Sequence, residues 1–265
     1  MPQNLNFGRR RPDPERPPLP WTGRETEAAC DLAFAELVGN LPMWIETDGR
    51  VDAPMLLVAI GAAAGMAAQM AITAGWADKL IDRGDDYHEV TLGDGRKIAE
   101  GRVFNEMIFA RETARMDHAI GSALAKESER YGVSWQDMPA SLFSDDIWNR
   151  IGTPEESRPQ APTEYRPTLT ARDLLPALWP CVRVVLTQSY PEEVRPNGPV
   201  SVHLWPAVTA QAARVLYART VPVVPPRVGA IIAIQSAVWA SRQEPWPFDP
   251  ELCRRRDLGL RIFDI

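Results

Sequence analysis

The stretch PMLLVAIGAAAGMAAQMAITAGW, residues 54–76, decides the fold of this 265-residue chain. Its polar side chains are Gln69 and Thr73 alone, so a helix built from it is apolar on every side. Such a helix must be surrounded by other elements to leave water. Gly61 and Gly65 have the spacing that lets a neighbouring backbone approach closely. We therefore predict a central core helix over 54–76.

A membrane-spanning helix is the alternative for the same stretch, because its length is sufficient to cross a bilayer. Alanine and glycine dominate it, however, and they contribute little insertion free energy compared with Leu, Ile, Phe or Val. Its flanks carry Asp52, Asp78 and Lys79, which give no basic side to set an orientation. The composition favours a core helix, and membrane association through 54–76 is kept as an alternative.

A second apolar stretch, 228–241, has the same small-residue character around a single amide, Gln235. We predict that it forms the middle of the fold together with 54–76. The spacing of apolar residues over 103–131 predicts a long amphipathic helix that covers this core. The first helix is expected to end at the glycine–asparagine pair 39–40. Prolines should kink a later helix or confine it to about 180–189.

One β-hairpin interrupts the helical pattern. Residues 87–92 alternate in polarity, residues 96–100 form a second short strand, and the glycine-rich segment 93–95 supplies the turn. An isolated hairpin is marginally stable, so it must pack on the helices. The predicted fold is mainly α, bordering on α+β: a globular helical domain around two apolar core helices, with one β-hairpin insertion.

The domain organisation follows from the same patterns. Residues 1–20 contain six prolines and predict an extended arm. Residues 21–265 are predicted to form a single domain, because neither half has enough patterned helices to bury the first apolar helix alone. The proline-rich loop 152–168 is the place where a sub-boundary is possible.

Charge and cysteine content limit the function classes. The net charge is −6, which argues against a nucleic-acid binder, since these usually carry a basic patch. Three cysteines far apart, with no CxxC pair, favour a reducing compartment, and we expect a cytoplasmic protein. All basic residues except Lys79, Lys97 and Lys126 are arginine, a bias typical of GC-rich bacterial genomes.

No catalytic motif stands out in the sequence. There is no nucleophile elbow, no phosphate-binding glycine loop and no HExxH. His88, beside a run of acidic residues, and His118, beside Asp117, are the candidates for a carboxylate–imidazole binding site. Solvated turn residues and a histidine at a helix surface or interface are the favoured explanation, because the spacing matches no known ligand motif. We therefore predict no metal site and no cofactor.

Gln69 and Gln235 are the remaining candidates for a binding site. An amide in an apolar helix must find partners, since a buried unsatisfied polar group costs about 1–3 kcal/mol. The partners are either neighbouring helices and backbone, or a ligand in a cavity that the two amides share.

Three functional hypotheses follow. The first is an interaction or accessory protein without catalytic activity, which binds a protein partner or a second copy of itself. The second is a helical enzyme or a small-ligand-binding or metal-binding protein, with its pocket beside the core helices. The third is a membrane-associated protein held by 54–76.

Overall fold

The structure, a computed structural model, describes residues 25–78, 87–109, 119–134, 147, 149–187 and 199–244. Most of these residues are helical, and the named strands among them form one antiparallel hairpin. The predicted mainly α fold with a β-hairpin insertion is therefore confirmed. In chain order the elements are α1 (Glu25–Trp44), α2 (Ala53–Ala77), β1 (His88–Thr91), β2 (Lys97–Glu100), α3 (Arg102–Phe109), α4 (Ile120–Glu129), α5 (Ala171–Thr187), α6 (Trp205–Thr220) and α7 (Pro226–Ala240).

Helix α2 lies at the centre of the fold, as its composition predicts. Asp52 caps its start, because a side-chain oxygen accepts the backbone N–H of Met55 at 3.2 Å. Helices α5, α6 and α7 pack around it. Among the described helices α2 alone is long and apolar enough to cross a membrane, yet 94% of its most apolar window is buried inside the protein. This burial supports its interpretation as a core helix.

Helices α2 and α7 meet backbone to backbone at two glycines. A Cβ atom added to Gly61 would lie 2.9 Å from the carbonyl carbon of Ala233. A Cβ atom added to Gly65 would lie 2.8 Å from the Cα of Ala237. Carbon atoms prefer separations of about 3.5–4.0 Å, so a side chain at either position would force the helices apart. The two glycines explain why the apolar helices pair in the middle of the fold.

Helix α1 continues past the pair at 39–40, so the end predicted there is wrong. Leu41, beyond the pair, is fully buried and holds the last turn against the body. Pro42 lies in this turn and has no N–H for the carbonyl of Val38, four residues earlier. The Nη1 of Arg219, from α6, donates to that oxygen at 3.3 Å. A side chain from another helix thus replaces the hydrogen bond that the proline removes.

The helix predicted over 103–131 is divided into α3 and α4, so its continuity was predicted wrongly. Ala119 precedes α4 in an extended conformation, with φ −85° and ψ 140°. The start of α4 contacts the end of α3, where the Ser122 hydroxyl donates to the carbonyl of Phe109 at 3.4 Å. Gly121 lets the two backbones approach. Apolar spacing alone does not reveal the break at Ala119.

Helix α5 runs through both of its prolines. It begins at Ala171, so confinement to about 180–189 is wrong. A capping box opens the helix: the Thr170 N–H donates to the Asp173 carboxylate at 2.8 Å, and the Asp173 N–H donates to the Thr170 hydroxyl at 3.4 Å. Apolar side chains such as Leu178 are fully buried, and their burial offsets the hydrogen bonds that proline cannot make.

The loop 152–168 is tied to the helices and the hairpin by a buried carboxylate. The side chain of Glu156 is 1% exposed and lies 2.6 Å from Nη1 of Arg96 and 3.5 Å from Nη1 of Arg172. The loop therefore bridges the hairpin turn and the start of α5. The arm predicted over 1–20 lies outside the described residues.

Candidate functional site

A cleft of about 180 Å³ lies between the end of α2, the hairpin and the residues directly after α7. The backbone N–H of Ala99 donates to the carbonyl of Arg242 at 2.8 Å, which joins the hairpin to the chain after α7. We call this the Gln69 cleft. Its polar lining residues are Gln69, Thr73, Glu89, Lys97, Arg242 and Glu244.

Gln69 is the most unusual of these residues, because it is 5% exposed and its amide oxygen is not satisfied. The Oε1 atom has no hydrogen-bond partner in the described part of the chain. The nearby Thr73 hydroxyl donates instead to the backbone oxygen of Gln69 at 2.9 Å. An unsatisfied buried acceptor costs about 1–3 kcal/mol. The unsatisfied oxygen of Gln69 therefore lowers the stability of the fold.

Aromatic rings form one wall of the cleft. Trp76 and Tyr87 line it, with ring centroids 4.8 Å apart and planes at 79°. Phe104, fully buried behind them, meets Trp76 edge to face at 6.1 Å. Such edge-to-face pairs add about 0.5–1.5 kcal/mol beyond the burial of area. The wall is therefore held in place by the contacts among its own rings.

A buried guanidinium lies behind the polar side of the cleft. Arg242 is 2% exposed; its Nη1 donates to the carbonyl of Val238 at 2.7 Å, and its Nη2 donates to Oδ1 of Asn105 at 2.8 Å. Burial lowers the pKa of Arg242 to about 10, and the charge of Glu100 opposes this shift. The group stays protonated at neutral pH, so a full positive charge is held inside the protein.

The rim of the cleft carries an ion pair between the two strands. Nζ of Lys97 lies 2.8 Å from Oε1 of Glu89, and this hydrogen bond raises the pKa of Lys97. Glu244 completes the charged lining. Two carboxylates and two cations line the cleft, so their formal charges cancel.

The structure brings only one of the predicted site residues to this cleft. Gln235 is 2% exposed, and its Oε1 accepts the backbone N–H of Gln160 at 2.5 Å, so it anchors the loop 152–168. His88 is exposed at the start of β1, opposite Glu100, and does not line the cleft. His118 lies outside the described residues. The binding roles of these residues stay predictions.

Sequence reasoning did not single out Arg242, Trp76 or Tyr87. An arginine just after a helix is usually solvated, and nothing in its neighbours signals burial. The aromatic residues are separated in the sequence by the end of α2 and meet only through the packing of the hairpin. In the described ranges, no group of three or more His, Cys, Asp or Glu side chains is placed to hold a metal ion.

A larger cleft, of about 410 Å³, lies on the loop 152–168 and is rich in arginine. Two of its cations bind the loop itself: Nη1 of Arg150 donates to the carbonyls of Glu155 and Arg158, and Nε of Arg158 lies 2.8 Å from the Glu155 carboxylate. These contacts stabilise the loop conformation. The Gln69 cleft differs because a buried acceptor of one of its lining residues, Oε1 of Gln69, is unsatisfied.

Comparison of the chain with protein-family models, with curated proteins and with solved structures gave no match.

Proposed function

We propose that this protein binds a small molecule in the Gln69 cleft, which corresponds to the second of the three functional hypotheses. The observation that carries the proposal is the buried, unsatisfied Oε1 of Gln69 at a cleft. Buried polar groups in folded proteins are nearly always hydrogen-bonded. A ligand that donates a hydrogen bond would supply the missing partner.

The other features of the cleft fit this role. Ligand pockets usually combine aromatic and apolar walls with a few fixed polar groups. Here Trp76, Tyr87 and Ile98 supply the apolar surface, and the packed core behind Gln69 fixes its position. The burial of α2 within the helices supports this proposal over a membrane anchor. A protein partner and self-association stay predictions from the sequence.

A pair of glutamine variants tests whether Gln69 is held for a ligand. Gln69→Leu removes an unsatisfied acceptor and should raise the free energy of unfolding by about 1–3 kcal/mol without ligand. Gln235→Leu is the matched control, because that amide already accepts a hydrogen bond from Gln160. It should lower the free energy of unfolding by a similar amount. If both variants destabilise equally, Gln69 is a structural residue and the proposal is wrong.

A pair of threonine variants tests the cleft itself. Thr73 is exposed at the cleft, and Thr187 is exposed at the end of α5; both hydroxyls donate to the carbonyl four residues earlier. Thr73→Trp should fill the cleft, whereas Thr187→Trp adds the same side chain elsewhere. Single-ring fragments, tested by saturation-transfer NMR, should bind the wild type and Thr187→Trp but not Thr73→Trp. Absence of binding to the wild type would overturn the proposal.

A further inference from the structure

The chemical class of the ligand can be read from the lining of the Gln69 cleft, and this step rests on the proposed function. The unsatisfied atom of Gln69, which lines the cleft, is a carbonyl oxygen, Oε1. A carbonyl oxygen only accepts hydrogen bonds. The complementary ligand group is therefore a donor, an N–H or an O–H, and a carboxylate placed there would be repelled.

The walls restrict the shape and size of the ligand. Trp76 and Tyr87 meet edge to face at the cleft, with Ile98 and Ala99 beside them. Aromatic surfaces of this kind pack best against another planar ring, stacked with an offset or edge to face. The volume of about 180 Å³ is below the range of about 300–1,000 Å³ that is typical of pockets for drug-sized ligands. A single ring is the size that fits.

The charges restrict the ligand further. Lys97 is already neutralised by Glu89 at 2.8 Å, and the guanidinium of Arg242 already donates to Val238 and Asn105. The formal charges of the lining cancel, so a charged ligand would lose its hydration without gaining a counter-ion. Desolvation of an unpaired charge is costly, which favours a neutral ligand.

We infer that the ligand is a neutral, planar, single-ring molecule that carries an amide N–H, as in aromatic carboxamides and lactam-type heterocycles. Its N–H donates to Oε1 of Gln69, and its ring packs against Trp76 and Tyr87. Cations are disfavoured by the buried charge of Arg242, and anions by the unsatisfied acceptor of Gln69.

Five matched probes test this inference by calorimetric titration of the whole chain: benzamide, N-methylbenzamide, N,N-dimethylbenzamide, benzoate and benzamidine. Benzamide and N-methylbenzamide, which keep an N–H, should bind at least about tenfold more tightly than the dimethyl compound. A tenfold difference in affinity corresponds to about 1.4 kcal/mol of binding free energy. Benzoate and benzamidine should bind more weakly than benzamide. The preference for N–H should disappear in Gln69→Leu and persist in Gln211→Leu, a glutamine of α6 that does not line the cleft.

The outcomes separate this inference from the function on which it rests. Equal binding of all five probes, lost in Thr73→Trp, would overturn the ligand class while the binding function stands. Tightest binding of benzoate or benzamidine would replace the neutral class by an anion or a cation. Binding of none of the probes or of the other single-ring fragments would overturn the binding function and this inference with it.

Discussion

Replacing Gly65 by alanine tests the backbone contact between α2 and α7. The new Cβ would lie 2.8 Å from both the Cα and the carbonyl carbon of Ala237, whereas carbon contacts are most favourable at about 3.5–4.0 Å. Both contacted atoms belong to the backbone and cannot rotate away. The helices must therefore separate by roughly 1 Å, and a gap of that size removes about a quarter to a half of each dispersion contact across the interface.

The magnitude follows from two opposing effects. Overpacking of a core costs about 1–3 kcal/mol, and a backbone contact places Gly65→Ala at the upper end of that range. The better helix propensity of alanine returns about 1 kcal/mol. We expect a net loss of about 2 kcal/mol in the free energy of unfolding. Gly61→Ala combined with Gly65→Ala should cost less than the sum of the single changes, because the helices separate only once.

Urea unfolding followed by far-ultraviolet circular dichroism measures this loss, as a lower midpoint at an unchanged slope. Gly39→Ala is the matched control, since Gly39 is exposed in α1 and an added Cβ meets nothing within 4 Å. Gly39→Ala should gain up to about 1 kcal/mol from helix propensity. If Gly65→Ala were stabilising like this control, the proposed close contact of the two backbones would be refuted.

Three further predictions concern contacts away from that interface. Arg219→Met should lower the free energy of unfolding, measured in urea, by about 1 kcal/mol, because the carbonyl of Val38 loses its donor. The loss should be smaller in a Pro42→Ala background, where the helix supplies its own N–H. Equal losses in both backgrounds would contradict this role of Arg219. Glu156→Gln should lower the midpoint of urea unfolding by an amount equivalent to about 2 kcal/mol. The loss is smaller than for a fully buried ion pair, because water reaches both arginines. An unchanged midpoint would show that the carboxylate does not stabilise the fold. Burial and a neighbouring carboxylate raise the pKa of Cys30, so its thiolate is scarce at neutral pH, and peptide mass spectrometry should detect slow alkylation by iodoacetamide that accelerates only in alkaline buffer; rapid labelling at neutral pH would contradict it.

The central helix and the hairpin could be predicted because their signals are local. An apolar run with its own N-cap at Asp52 defines α2, and alternating polarity around a glycine turn defines the hairpin. The end of α1 and the continuity of 103–131 were predicted wrongly, and at both places the structure shows contacts with residues of another helix. Pro42 is tolerated in α1 because Arg219 replaces its hydrogen bond. The start of α4 packs on α3, a contact that apolar spacing does not report.

The candidate site could be predicted only in part, for a similar reason. Gln69 is visible in the sequence as an amide within an apolar helix, and that pattern also selects Gln235. Only the packing separates the two, since the backbone of Gln160 reaches Gln235 and not Gln69. The burial of Arg242 depends on the hairpin that covers it, which no local pattern reports.

The burial of most of α2 has a consequence for how the chain acquires its structure. Its partner α7 begins at residue 226, about 150 residues after α2 ends at Ala77. Ribosomes add roughly 5–20 residues per second, so synthesis reaches the start of that partner roughly 7–30 s after α2 is complete. Contacts of such long sequence separation are slow to form. The apolar surface of α2 must therefore be shielded from water in the nascent chain until α7 has been synthesised. We expect a chain truncated before α7 not to reach the folded state.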